Sequence, residues 1–127
     1  MITTLYAALC ALLLVKLSLA VIKLRRKHKV SLGDGGVEDL VVAIATHSNA
    51  CQYMPISLLL IFTLEQNQAN IWIIHFVGLA LLTGRLFHAH GMWHAMSARV
   101  LGMQITIYNI IAMSILNLIY LPYSQLI

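Results

Sequence analysis

Acidic residues are what this sequence has least of. Only four of its 127 residues are Asp or Glu (Asp34, Glu38, Asp39 and Glu65), and each stands in or beside a connecting stretch. A small transporter coupled to ions through an intramembrane carboxylate is therefore a poor fit; the first apolar segment offers Lys16 instead. Charge of either sign is scarce as well, at 9%. A soluble domain carries roughly 25%, so a soluble fold is excluded. Two prolines, Pro55 and Pro122, leave long helices possible. The two cysteines, Cys10 and Cys51, fall in different apolar segments, which predicts packing thiols rather than a disulfide framework. No strand precedes Gly33, Gly35 and Gly36 and no Gly-Lys-Ser/Thr follows them, so these glycines read as a turn and not a phosphate loop. No basic residue precedes the first apolar run, which predicts a retained span rather than a cleaved signal peptide.

What is present is apolar. Hydrophobic residues make up 61% of the chain, with a mean hydropathy of +0.87. A spanning helix needs about 20 such residues. Four segments qualify, at about residues 4–24, 38–64, 71–98 and 103–121, joined by short connections. The expected fold is an all-α membrane protein, a four-transmembrane-helix bundle forming one domain over residues 1–127. Pro55 should kink the second helix and free a backbone carbonyl. Lys16 must face the interior or snorkel. Glu38 and Asp39 suit the start of the second helix, at the positive end of its dipole. Asn109, Ser114 and Asn117 are the hydrogen-bonding candidates of an otherwise apolar fourth helix.

The net charge of +4 does not point to nucleic acid. Five of the eight basic residues (Lys23, Arg25, Arg26, Lys27 and Lys29) form one juxtamembrane cluster, the mark of a cytoplasmic membrane edge. Arg99 lies two spans later and so on the same side, with both termini external.

Polar groups gather toward that side. Asn49, Gln52 and Tyr53 share one face of the second helix, being three and four residues apart, and Pro55 follows. Arg85, His88, Met92, Met96 and Arg99 step by three and four along the third. Asn49 and His88 each lie roughly 15 Å from the cytoplasmic ends of their helices. These groups and Arg25 are expected to meet in a cavity open to the cytoplasmic half. Arginine binds carboxylate in a bidentate fork and keeps its charge when buried, so an anionic ligand suits it. Arg99, fourteen residues or about four turns beyond Arg85, would meet the other end of an extended ligand. Cys51 has no obvious cationic neighbour on its own face, so a nucleophile would arrive with the ligand. His90 and His94 are four apart but lack a third ligand nearby, so no metal site is expected. A haem bundle using His47 with His88 or His90 is a lesser alternative.

These motifs resemble those of the MAPEG proteins, the membrane-associated proteins of eicosanoid and glutathione metabolism, and especially their small bacterial members. Asn49-Ala-Cys-Gln52-Tyr53-Met-Pro55 is similar to the family's N-x-x-E-Y-x-P on helix 2. Gly84-Arg85-Leu86-Phe87-His88-Ala89-His90-Gly91 is similar to its Arg-led helix 3 motif. Arg25-Arg26, followed by Lys29-Val30-Ser31, completes the likeness at the end of helix 1. The resemblance implies a homotrimer in a bacterial inner membrane, with glutathione as co-substrate between neighbouring subunits. Arg25 and Arg85 would contact its carboxylates or backbone, with His88 beside them. Asn49 and Tyr53 would hydrogen-bond the tripeptide, and Gln52 would meet its glutamyl amino end. Arg99 would stabilise the thiolate for a transferase or peroxidase acting on lipophilic electrophiles drawn from the membrane lipid. Two departures stand out: Gln52 replaces the usual glutamate, and Ala45 stands where many members carry an arginine. His88 and Met92 replace tyrosines of the eicosanoid enzymes, which argues against a leukotriene or prostaglandin synthase. The alternative implied is a non-catalytic relative with a degenerate site.

Overall fold

The spacing of charge and apolar runs does fold as four helices. The computed structural model describes residues 1–126 as α1 (Ile2–His28), α2 (Glu38–Gln66), α3 (Ile71–Trp93) and α4 (Met96–Ile119), with a 3₁₀ turn at Tyr123–Gln125. α1, α3 and α4 are each long and apolar enough to cross a membrane. α2 falls short by composition, because His47, Ser48, Asn49 and Gln52 interrupt its apolar run. It continues as one helix through Pro55.

Local chemistry sets the ends. Lys29 turns left-handed at φ 56°, and its N–H closes onto the Arg25 carbonyl. Gly33, Gly35 and Gly36 then hold φ of 65°, 60° and 74°. The Asp34 carboxylate accepts the Gly36 N–H at 2.8 Å. Glu38 and Asp39 occupy the first turn of α2. Asn70 caps α3 by accepting the Trp72 N–H at 2.9 Å.

The last turn corrects two expected boundaries. The third helix stops at Trp93 rather than Ala98, and the fourth starts at Met96 rather than Met103. Ala95 is extended at φ −153° and reverses the chain. The reversal is tight because Gly91 has no side chain: a Cβ there would lie 2.0 Å from the Arg99 nitrogen.

Glycine continues this seam. A Cβ at Gly102 would meet the His88 nitrogen at 2.3 Å, and one at Gly84 would meet the Gly102 carbonyl oxygen at 3.1 Å. α3 and α4 thus pack backbone against backbone, as small residues allow between membrane helices. Asn109 donates across the seam to the Val77 carbonyl at 2.9 Å. Asn117 ties α4 to α2, donating to the Leu60 carbonyl at 3.0 Å and accepting the Thr63 hydroxyl at 2.6 Å. Ser114, by contrast, bonds only within its own helix, to Ile110. Met54, Ile61, Leu64, Ile74, Val77, Leu81 and Met113 fill the core between α2, α3 and α4.

α1 packs chiefly on α2, reaches α3, and does not touch α4. Its contact with α3 centres on Tyr6, whose ring covers Gly78 and whose hydroxyl reaches the His75 carbonyl at 3.1 Å. Lys16 is exposed. Cys10 is buried as expected, but Cys51 is exposed and so is not a packing thiol within the chain. It borders an apolar hollow between α1 and α2, opposite Ala7, Cys10, Ala11 and Leu14.

The first turn of α1 is capped from far away. Glu65, in the last turn of α2, accepts the N–H groups of Ile2 and Thr3 and the Thr3 hydroxyl. Burial alone would raise its carboxyl pKa. The hydrogen bonds from Thr3 and Ile2, with the terminal ammonium, outweigh burial and hold it below its ordinary value of 4.5. A lowered folded-state pKa contributes stability above the ordinary value, and that stability disappears as pH falls through the folded one.

Two outcomes follow from this packing. Gly102→Ala should destabilise the detergent-solubilised protein by about 1–3 kcal/mol, read as a lowered thermal midpoint, because the intruding methyl meets backbone. Glu65→Gln should lower the midpoint at neutral pH and flatten its fall below pH 4.5; an unchanged acid profile would mean that the cap is not the titrating contact.

Candidate functional site

Arg85 is the least expected resident of the bundle interior. It sits one turn before His88 on α3 and is only 2% exposed. Its Nη1 donates to the Asn49 side-chain oxygen at 2.6 Å. Its guanidinium carbon lies 5.6 Å from the centre of the Tyr53 ring, within cation–π range. Nε and Nη2 are buried without a hydrogen-bond partner. None of the four carboxylates pairs with it among the described residues, since Glu65 holds the N-terminus and the others stand at the α1–α2 connection. A buried cation with two idle donor groups is costly unless an anion or further acceptors approach.

The α2 spacing works as expected here. Asn49 and Tyr53, four residues apart, both turn toward α3, and Arg85 engages the two together. Because Arg85 holds the Asn49 oxygen, the Asn49 amide nitrogen is left free to donate outward.

Outside this pair lies a groove of about 650 Å³, within the usual size range of small-molecule sites. Asn49, His88 and Arg99 line its polar part, with Gln104 and Tyr108 from α4. Met96, Met103 and Ile107 give it an apolar flank. Arg99 arrives differently from the sequence expectation. It does not lie four turns beyond Arg85 on the same helix; the reversal at Ala95 folds it back beside Gly91, in the first turns of α4. Arg85 itself does not line the groove and stands behind Asn49.

Two anticipated residues lie elsewhere in the single chain. Arg25 donates to the Gly33 carbonyl at 2.7 Å and borders a separate hollow with Arg26, Lys29, Val30 and Ser31. Gln52 is exposed and does not line the groove. Sequence reasoning missed Gln104 and Tyr108, although their i, i+4 spacing in an apolar helix was a signal. It also missed a neighbour of Cys51: the His47 ring lies one turn back on the same face, 3.9 Å from the sulfur. The His90 and His94 rings lie against each other, tilted by 40° with centroids 4.7 Å apart. No group of three or more metal-ligating side chains occurs among the described residues.

The MAPEG family matches residues 3–119. Similar proteins include "Inner membrane protein YecN" of Escherichia coli strain K12, 42% identical over 125 residues, covering 98% of this chain and 95% of that protein. The protein of the same name from Escherichia coli O6:H1 strain CFT073 matches with the same identity and coverage. With apolar helices long enough to span and inner-membrane relatives over nearly its full length, the chain is an integral membrane protein that belongs to the MAPEG family.

Proposed function

We propose that the groove between α2, α3 and α4 binds glutathione and presents its thiolate to lipophilic electrophiles. The observation that carries this reading is Arg85, an interior cation with two unsatisfied nitrogens and no carboxylate partner among the described residues, directly behind the groove. Glutathione brings two carboxylates and one ammonium. Asn49 and His88 would bind and orient the tripeptide, with the Arg85 charge favouring an anion there. Arg99, exposed at the groove wall, would stabilise the thiolate, since a nearby cation lowers a thiol pKa. The thiolate sulfur then attacks the electrophilic carbon, forming a thioether as the leaving group departs with the bonding pair. With a hydroperoxide the sulfur attacks the outer oxygen instead, the O–O bond breaks and the alkoxide leaves to be protonated to the alcohol; a second glutathione then converts the sulfenic acid to the disulfide with loss of water. Met103 and Ile107 would hold the lipophilic partner.

In this reading α2 crosses the membrane as the polar inner helix of a homotrimer. Arg25 and Gln52, outside the groove of their own chain, would then complete a neighbour's site. The departures at Ala45 and Gln52 favour one rival, a binding protein that has lost turnover. Charged hydrogen bonds contribute roughly 1.5–3 kcal/mol each, so glutathione affinity should fall below that of a glutamate-bearing relative.

Calorimetry on purified, detergent-solubilised protein tests the binding. Saturable glutathione binding is expected, weakened at least about tenfold by Arg85→Ala and less by Tyr53→Phe. Absence of binding at millimolar glutathione would end this reading. If glutathione binds without turnover, the double variant Ala45→Arg with Gln52→Glu separates the two versions. Measurable conjugation appearing only in that variant would establish a degenerate site.

A further inference from the structure

A second cleft lies on the other side of α3. Near one end of the bundle α1 and α3 touch closely, with the Tyr6 ring seated on Gly78. Toward the basic end they part and enclose about 470 Å³. Leu13, Lys16 and Leu17 of α1 form one wall, and Leu86, His90 and Trp93 of α3 form the other, with His94 at its mouth. None of these residues lines the groove beside Arg85.

Polarity is graded along the cleft. Leu13 and Leu86 make its deep part apolar. Lys16 stands partway up and forms no ion pair among the described residues. It lies about 13 Å along α1 from Arg25, within the apolar segment. A strongly hydrated ammonium at that depth demands an anion or a route to water. Across from it, the neighbouring His90 and His94 rings each carry an N–H donor whichever tautomer holds, and Trp93 adds its indole N–H. No acidic residue borders the cleft.

We propose that this cleft binds an anionic phospholipid of the surrounding bilayer. The phosphate sits between Lys16 and the His90–His94 pair, and an acyl chain runs down along Leu13 and Leu86. A small soluble anion would leave the apolar depth empty. A zwitterionic lipid would set its own cation against Lys16. Basic clefts between spanning helices near the cytoplasmic edge suit acidic headgroups for the same electrostatic reason.

Native mass spectrometry of the detergent-solubilised full chain decides this, using phosphatidylglycerol and phosphatidylcholine with identical acyl chains. Phosphatidylglycerol should bind at least about tenfold more tightly. Lys16→Met should abolish that preference, whereas Lys27→Gln, in the exposed basic cluster outside the cleft, should change it less than about twofold. Ala89→Trp, which fills the cleft and keeps Lys16, should weaken both lipids. Equal binding of the two lipids overturns the proposal, as does an equal effect of Lys16→Met and Lys27→Gln. A Lys16→Met variant that loses oligomeric mass while keeping its lipid preference overturns it too, in favour of contact between copies of the chain.

Discussion

A charged guanidinium inside a bundle without an internal carboxylate is the constraint on which the rest of this structure depends. Arg85 is held by one amide oxygen and one aromatic face, from Asn49 and Tyr53. Neither neutralises it, and both come from the same stretch of α2. The polar interruption that keeps α2 short of a plainly apolar span is therefore the counterpart of one residue on α3. Were α2 uniformly apolar, Arg85 would lack even these partners, and its burial would be prohibitive.

The seam of glycines fixes where this cation can act. Because α3 and α4 approach backbone to backbone at Gly84, Gly91 and Gly102, the side chains of early α4 stand close beside the His88 turn. Arg99, Gln104 and Tyr108 thereby become a wall of the groove that Asn49 opens. Two arginines of unlike character result. One is interior and bound to protein atoms; the other is exposed and free to meet a ligand.

Much of this was legible in the residues. Asn49 and Tyr53 lie on one face because four residues make about one turn, and Arg85 faces them for the complementary electrostatic reason. The helix order and the left-handed glycines of the first connection follow from equally local rules. What escaped was set by backbone proximity. The reversal at Ala95 carries no proline or glycine of its own, so periodicity ran the third helix past it. Its cause, the missing side chain of Gly91, shows only when a second backbone lies against it. The charge of Arg25 and its place in the helix 1 motif are plain in sequence, but its contact within the chain is not. Its bond to the Gly33 carbonyl depends on a loop path that no side-chain pattern records. Cys51 was read as a packing thiol because it sits in an apolar run, yet in a membrane chain an apolar run does not reveal which face other helices cover.

The tie between Glu65 and the start of α1 bears on the order in which the chain assembles. The partners are 63 residues apart in sequence. As the chain emerges from the ribosome, the opening turn of the first helix must remain without its cap until the second helix has been made in full. Membrane insertion of α1 and completion of its terminus are thus separate events, and the second waits on a residue at the far end of α2. The hairpin of α1 and α2, rather than the single helix, is the smallest unit in which that terminus is satisfied.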